Sequence, residues 1–197
     1  MTAPRLILAS TSPYRRELLA RLRVPFDTVS PGVDESSLRN ERPAELVMRL
    51  ARAKAAAIAM HTPEAIVIGA DQVAALGDIA LSKPGTHEKA VAQLRAMRGR
   101  RVSFLTAVAV AHGATGRTAG RLVPTDVHFR DYADATIESY LRAEQPYDCA
   151  GAAKIEALGI VLVRRLEGDD PTALIGLPLI ALVDLLAEFG VPVLSPA

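Results

Sequence analysis

The sequence predicts an α/β protein in which a mixed central sheet is flanked by helices. One observation is the apolar, β-branched run Ile66-Val67-Ile68, since a run that is apolar on both faces is typical of a strand buried within a sheet. A second is that strand-like and helix-like stretches alternate along the chain. A third is a pair of long strands, residues 101–111 and 120–130, joined by a Gly-rich turn, which we expect to pair antiparallel and so make the sheet mixed.

Length and composition limit the classes of protein. The 197 residues suffice for one substantial core, and half of them are hydrophobic. A net charge of +1 gives no sign of nucleic acid or an anionic membrane as a partner. The single cysteine, Cys149, fits a reducing compartment, and with no histidine near it in sequence we interpret it as a buried small side chain rather than a nucleophile. Residues 1–5 precede an apolar run too short for a signal peptide or a membrane span, so we expect a soluble cytoplasmic protein.

The first strand and helix predict an anion site. Residues 6–9 are the strand, Ser10 follows it, and Ser12 is a good N-cap for a helix over residues 14–22. The start of a helix presents backbone N–H groups and the positive end of its dipole. Arg15 and Arg16 lie in the first turn, where the dipole disfavours cations, and this favours a negatively charged ligand there.

The next segments supply two acids and a buried lysine. A second strand, residues 26–30, leads to a polar loop with Asp34 and Glu35, which either remain solvated or supply oxygen ligands to a divalent cation. A long helix is predicted over residues 43–60. Lys54 falls in its apolar row, and either extends its ammonium group to solvent or points into a shared site.

The central strand is expected to end at Asp71, because the carboxyl ends of strands in open α/β sheets are where ligands bind. The small residues Gly69 and Ala70 allow another backbone or a ligand to approach. Asp71 either caps a turn, pairs with a nearby arginine, or serves a site. A short hairpin over residues 73–81 follows, and Lys83 in the next turn is positioned to reach an anion.

The rest of the chain adds further helices and a strand. Helices are predicted from the Thr86 cap to residue 97, from the Asp134 cap over residues 135–143, and over residues 178–189. Residues 158–165 are predicted to form a strand, after a loop of small residues that contains Lys154 and Glu156. We expect one domain over residues 1–197. Two adjoining lobes around a cleft, divided near the hairpin after Asp71, remain an alternative.

The charged side chains predict phosphoryl-group hydrolysis. Cations that hold phosphates and carboxylates that hold a metal are what this reaction requires. The sequence contains no Gly-rich loop ending in Lys-Ser or Lys-Thr, no Gly-x-Gly-x-x-Gly after a strand, and no Gly-x-Ser-x-Gly. These absences argue against a P-loop protein, a dinucleotide oxidoreductase and a serine hydrolase of the usual elbow type.

Residues 8–19, LASTSPYRRELL, resemble the opening motif of the Maf family, the septum-formation-protein-like nucleotide pyrophosphatases. The family's other motifs follow in order: Val33-Asp34-Glu35, Lys54, Ile68-Gly69-Ala70-Asp71, Lys83-Pro84 and Gly176-Leu177-Pro178. The resemblance implies a fold like that of the inosine-triphosphate pyrophosphatases and a homodimer. It also implies that a nucleoside triphosphate is hydrolysed to a monophosphate and pyrophosphate with a divalent cation, Mg²⁺ or Mn²⁺.

The resemblance also implies roles for residues. Asp71 would be the catalytic base, and Glu35 would assist at the attacking water; both would ligate the metal. The phosphates would be held by one hydroxyl and three cations, Ser10, Arg15, Lys54 and Lys83, with Arg16 as a secondary candidate.

Within the family, the chain looks like the 7-methyl-GTP branch. Gln72 stands where the dTTP and UTP branch is expected to have Thr, and residues 126–130 and 166–171 also resemble the 7-methyl-GTP branch. The implied specificity positions are Tyr14, Gln72 and Glu156. N7-methylated guanine is cationic, which suits an aromatic face and a carboxylate. Tyr14 replaces an expected Trp, and Ala152-Ala153 replace Ser-Phe. The alternatives are a dTTP/UTP pyrophosphatase and a nucleotide-binding regulator of division without turnover.

Overall fold

The computed structural model describes residues 4–194, so Met1-Thr2-Ala3, which entered the signal-peptide expectation, lie outside the described residues. Seven strands and five α-helices follow one another in this part of the chain. They are β1 Arg5–Ala9, α1 Pro13–Ala20, β2 Asp27–Val29, α2 Pro43–Ala59, β3 Ala65–Leu76, β4 Ile79–Leu81, α3 His87–Met97, β5 Arg101–His112, β6 Thr118–Phe129, α4 Asp134–Glu144, β7 Val163–Glu167 and α5 Leu179–Glu188. No helix within residues 4–194 has the length and apolar character needed to cross a membrane.

The strands form a mixed sheet, which confirms the predicted fold class. Their order is β2-β1-β3-β5-β6-β7, and β4 pairs with β3 off this path. β1 pairs in parallel with both β2 and β3, whereas β3–β4 and β6–β7 are antiparallel. The chain divides into two compact units, and the first division falls between Asp71 and Gln72.

The first unit comprises the chain up to Asp71, Thr106–Val123 and the chain from Asp170 onward. On one side of its strands, α1 and α5 bury a core of aliphatic side chains. The cluster includes Leu6, Leu8, Leu18, Leu19, Ile66, Ile68, Val108, Val110, Leu182 and Leu186. Because side chains alternate along a strand, Val67, Gly69 and Asp71 lie on the opposite side from Ile66 and Ile68. That opposite side is covered by α2, whose backbone contacts Gly69.

The second unit comprises Gln72–Leu105 and Pro124–Asp169. Its core contains two aromatic rings from the long strands and two buried tyrosines, Tyr132 and Tyr140. The Tyr132 hydroxyl donates to the carbonyl oxygen of Leu94 at 2.8 Å, which ties the segment before α4 to α3. Phe104 and Phe129 are buried in the same core.

Three predicted boundaries are wrong. β3 does not end at Asp71 but continues to Leu76, because its last residues pair with β4. Asp71 nevertheless lies beyond the last β1–β3 pair, Leu8 with Ile68, so β1 no longer pairs with β3 at this position. Residues 158–162 form a 3-10 helix and only then does β7 begin. The cap of α4 is Ala133, and Asp134 is the first helical residue.

Candidate active site

A close approach between α2 and β3 creates the centre of the candidate site. A Cβ at Gly69 would lie 2.2 Å from the carbonyl oxygen of Ala51 and 2.6 Å from the backbone nitrogen of Ala55, so only glycine permits this contact. Lys54 lies between these two helical residues, and Asp71 follows Gly69 on the same side of the strand. The small residues predicted to admit another backbone therefore do so, and the backbone is that of α2.

Lys54 bridges two carboxylates. Its Nζ lies 2.7 Å from Asp71 Oδ1 and 2.6 Å from Glu35 Oε1. The Lys54 and Asp71 side chains are 5% and 12% exposed, whereas that of Glu35 is 59% exposed. Of the two orientations left open for Lys54, the structure shows the inward one. Asp71 pairs with this lysine rather than with an arginine.

The loop that carries Glu35 is fixed by its own residues and by α2. Asp34 Oδ1 accepts from the Ser36 N–H at 2.9 Å, and this bond lowers the pKa of Asp34. Arg49 donates to the carbonyl oxygen of Ser36 at 2.9 Å and to Glu41 Oε1 at 2.6 Å. The hydrogen bond from Arg49 lowers the pKa of Glu41 to about 2, so this pair stays charged at neutral pH. Asp34 therefore shapes the loop, while Glu35 projects from it to Lys54.

Arg15 brings a second cation to the same acids. Ser12 caps α1 as predicted and accepts from the Arg15 N–H at 3.4 Å, and Ser10 is buried with its Oγ accepting from the Ser12 N–H at 3.2 Å. Burial lowers the pKa of Arg15, while the charges of Asp71 and Glu35 raise it. An arginine remains cationic even so. Arg15, Lys54, Asp71 and Glu35 thus form one electrostatically coupled group.

The side chain of Arg15 is oriented by a residue to which sequence reasoning gave no role. Arg15 Nε donates to the carbonyl oxygen of Gly176 at 2.9 Å. The φ angle of Gly176 is +123°, in a region that side chains rarely adopt. The Gly176-Leu177-Pro178 motif was evident in the sequence, but nothing in it indicated a contact with a residue 161 positions away.

The turn around Gly176 is held by a buried carboxylate, Asp170. Its Oδ1 accepts from the Thr172 N–H at 2.8 Å and the Thr172 hydroxyl at 2.6 Å, while its Oδ2 accepts from the Ile180 N–H at 2.8 Å. Thr172 Oγ1 in turn accepts from the Leu179 N–H at 2.8 Å. These bonds satisfy the first turn of α5, whose own N-cap has no side-chain hydrogen bond. In the sequence Asp170 is only one residue of the stretch 166–171 that resembles the 7-methyl-GTP branch, with no role of its own.

Arg16 lies elsewhere in the first unit. It is exposed and lines an open surface cavity of about 720 Å³ together with Arg23, Phe26 and neighbouring residues. Helical position alone does not distinguish Arg16 from Arg15, because both lie in the first turn of the same helix, whereas the family resemblance makes Arg16 the secondary candidate. Arg15 lies within electrostatic reach of Asp71 and Glu35, whereas Arg16 lines this cavity.

The remaining candidates lie in the second unit, apart from Tyr14, which is half-buried on α1. Lys83 is exposed in a turn that is fixed by a 3.0 Å hydrogen bond from the Gly85 N–H to the carbonyl oxygen of Tyr147. Gln72 is half-buried on β3. Glu156 is exposed, and partial burial of its carboxyl group raises its pKa.

Cys149 is not an activated thiol. Burial of the thiol and, to a smaller extent, the neighbouring Asp148 carboxylate together raise its pKa to about 12. A thiol with so high a pKa carries almost no thiolate at neutral pH. This agrees with the interpretation that Cys149 is not a nucleophile, although the side chain is half-buried rather than fully buried.

Asp71 and Glu35 are the acids of the site that could hold a metal ion. Within residues 4–194 no group of three or more His, Cys, Asp or Glu side chains could hold a metal ion. Asp71 and Glu35 nevertheless fit Mg²⁺ or Mn²⁺, because such ions are commonly held by one or two carboxylates, with water and substrate phosphates completing the shell.

Comparison with known proteins identifies the class. The family described as Maf-like protein matches residues 5–189, and the chain belongs to this family. It is 55% identical over 191 residues to the 7-methyl-GTP pyrophosphatase of Cupriavidus metallidurans, covering 97% of this chain and 96% of that protein. It is 56% identical over 194 residues to the protein of the same name from Thiobacillus denitrificans, covering 98% of this chain and 96% of the relative.

A solved structure of a HAM1 protein from Coxiella burnetii is also similar to this chain. The two superpose with a TM-score of 0.46 and 12% sequence identity, over 66% of this chain and 74% of the other.

Proposed function

We propose that this protein hydrolyses 7-methyl-GTP to the monophosphate and pyrophosphate. The observation that carries the proposal is the meeting of Asp71 and Glu35 on the ammonium group of Lys54, with Arg15 beside them. Carboxylates to activate water and cations to neutralise phosphates are the two requirements of this reaction. Relatives about 55% identical over nearly their whole length carry the name 7-methyl-GTP pyrophosphatase, which supports the choice of substrate.

The residues of the site divide into two roles. Asp71 is the general base: Lys54 holds Oδ1, and Oδ2 takes the proton of the water that attacks the α-phosphorus. Glu35 orients this water from the fixed loop. Lys54 and Arg15 neutralise charge on the triphosphate, and the Ser10 hydroxyl donates to a phosphate oxygen. Lys83 is a further phosphate ligand, and Arg16 is the weakest member of the set because it lines a separate surface cavity.

A divalent cation is the proposed cofactor, and Asp71 and Glu35 are the residues that would hold it. When bound, Mg²⁺ or Mn²⁺ would supply positive charge to the triphosphate. The protein's part is to hold the two carboxylates close together, which the shared Lys54 ammonium group does through its two ion pairs.

Base recognition is assigned to Tyr14, Gln72 and Glu156. The N7-methylated base carries a positive charge, so it favours the face of Tyr14 and the carboxylate of Glu156. The amide of Gln72 can both donate to and accept from the edge of a purine. A neutral guanine lacks the charge that these two groups complement.

Three further proposals concern the whole molecule. Residues 1–197 form a single Maf-like domain, supported by one family match that spans both compact units. The protein acts as a homodimer, as the family resemblance implies. Its location is the cytoplasm, supported by a single cysteine and hence no internal disulfide.

The test is a substrate panel with a matched pair of variants. Pyrophosphate release from 7-methyl-GTP, GTP, dTTP and UTP is measured with Mg²⁺ or Mn²⁺ for the parent, Asp71→Asn and Asp184→Asn. Asp184 is an exposed acid of α5, so its variant makes the same chemical change outside the site. We expect the highest kcat/KM for 7-methyl-GTP, a loss of about 100-fold or more in Asp71→Asn, and parental activity in Asp184→Asn.

The same panel decides between the alternatives. A preference for dTTP and UTP would replace the proposed substrate by that of the other branch. Tight nucleotide binding by calorimetry without release of pyrophosphate would indicate a nucleotide-binding regulator. Equal activity of the parent and Asp71→Asn would remove Asp71 from the role of base.

A further inference from the structure

Glu156 lies in a loop of the second unit, residues 152–158. Tyr140 of helix α4 is hydrogen-bonded to the first residues of this loop. The Tyr140 hydroxyl donates to the carbonyl oxygen of Ala152 at 3.2 Å and accepts from the Lys154 N–H at 3.0 Å. Tyr140 is only 2% exposed, and burial raises its pKa, so the hydroxyl keeps its proton at every physiological pH. One buried phenol therefore satisfies two backbone groups at the start of the loop.

The end of the loop is tied to the same helix by Glu144. Its Oε1 lies 3.0 Å from Lys154 Nζ, and its Oε2 accepts from the Leu158 N–H at 3.2 Å. The Glu144 side chain is 14% exposed, so water competes little for these contacts. Tyr140 and Glu144 are four residues apart and thus lie on one face of α4.

The backbone between these two anchors is tightly folded. The N–H groups of Ala157 and Gly159 both donate to the carbonyl oxygen of Lys154, at 3.2 and 3.0 Å. A Cβ at Gly159 would lie 2.5 Å from that oxygen, so the contact requires glycine. Glu156 lies inside this turn, between Lys154 and Ala157, whose backbone groups are hydrogen-bonded to each other.

We propose that Tyr140 and Glu144 are positioning residues for base recognition, which fix the backbone that carries the Glu156 carboxylate so that the enzyme distinguishes a cationic base from a neutral one. This inference rests on the proposed function. A carboxylate held in place loses less conformational freedom when it binds a cation, so its charge contributes more to discrimination. Neither residue contacts substrate in this proposal; both act through Glu156.

The test compares Tyr140→Phe with Tyr132→Phe. Tyr132 is the matched control: it is a buried tyrosine of the same unit whose hydroxyl donates to a backbone carbonyl, that of Leu94, outside the loop. The readout is the ratio of kcat/KM for 7-methyl-GTP to that for GTP. We expect this ratio to fall about tenfold in Tyr140→Phe, the factor that one net hydrogen bond provides, and to stay at the parental value in Tyr132→Phe.

A double variant shows whether the effect passes through Glu156. If Tyr140 acts by fixing that carboxylate, Tyr140→Phe should not lower the ratio further once Glu156→Gln has been introduced. Glu144→Gln provides a second variant of the anchor: it keeps an acceptor for the Leu158 N–H but loses the charge pair with Lys154, so the ratio should fall in the same direction.

Three results would overturn the inference while leaving the proposed function intact. They are an unchanged ratio in both Tyr140→Phe and Glu144→Gln, an equal fall in Tyr132→Phe, and additive losses in the double variant with Glu156→Gln. In each case the parent still hydrolyses 7-methyl-GTP. A parent that hydrolyses no nucleotide, or that treats 7-methyl-GTP and GTP alike, would remove both.

Discussion

Replacing Lys54 by methionine removes the cation that Asp71 and Glu35 share while keeping a side chain of similar length. Asp71 is then left in an almost closed position, with its side chain 12% exposed, and without its ion-pair partner. The Glu35 side chain is 59% exposed and can turn to water. The Lys54–Asp71 ion pair therefore contributes more to stability than the Lys54–Glu35 pair, and most of the destabilisation comes from leaving Asp71 without its partner.

The expected magnitude follows from this asymmetry. Removing one partner of a buried ion pair costs about 3–5 kcal/mol, whereas an exposed pair is worth about 0–1 kcal/mol. The positive charge of Arg15 partly compensates Asp71, so we expect the lower end for Lys54→Met, about 3 kcal/mol in the free energy of unfolding. For a chain of this size that corresponds to a fall of about 6–12 °C in Tm.

The assay is urea unfolding at pH 7 followed by far-UV circular dichroism, since the chain has no tryptophan for fluorescence. The decisive comparison is with the double variant Lys54→Met/Asp71→Asn, which leaves no uncompensated carboxylate and should recover about 2 kcal/mol of the loss. Glu35→Gln should change stability by less than about 1 kcal/mol. The reasoning fails if Lys54→Met unfolds like the parent, or if the double variant is no more stable than Lys54→Met.

Three further predictions concern other parts of the chain. Because burial raises the pKa of Glu156, the KM for 7-methyl-GTP should rise as the pH falls, beginning above the range of an ordinary glutamate, and Glu156→Gln should abolish this trend in a pH series of steady-state assays. Gly69→Ala places a Cβ 2.2 Å from the carbonyl oxygen of Ala51 and should lower the free energy of unfolding in urea by about 2 kcal/mol or more; a parental midpoint would contradict the close packing. With its pKa raised to about 12, Cys149 should react with iodoacetamide at pH 8 about a hundredfold more slowly in the folded protein than in urea. The rates are followed by mass spectrometry, and equal rates would show that folding does not raise the pKa of this thiol.

The parts of the fold that depend on local pattern were predictable from the sequence. Ser12 and Pro13 define the start of α1, because a serine hydroxyl can accept from the free N–H groups of the first turn and proline suits the first helical position. The apolar run before Asp71 predicted a buried strand correctly. The hairpin over residues 73–81 was also predicted, and its two arms pair as expected. What the local pattern did not show is that the central strand runs through Asp71 and Gln72 without a break into the first arm of this hairpin.

The candidate site was predictable in its residue types but not in its contacts. Lys54 in an apolar row left two orientations open, and the choice depends on Asp71, which is 17 residues away. Arg15 and Arg16 both lie in the first turn of α1, and the structure distinguishes them because Arg15 donates to the carbonyl oxygen of Gly176. Tyr140 gave no functional signal, since a buried tyrosine on a helix usually indicates only core packing.

The hydrogen bonds of Asp170 and Thr172 limit where an anionic ligand can bind to the first unit. The amides of Leu179 and Ile180 at the start of α5 already bind oxygens of the protein, so this helix end is closed to any incoming phosphate. A triphosphate that approaches the first unit therefore finds the Leu179 and Ile180 amides already bonded, which leaves the start of α1, the Ser10 hydroxyl and the side-chain cations to meet its charge.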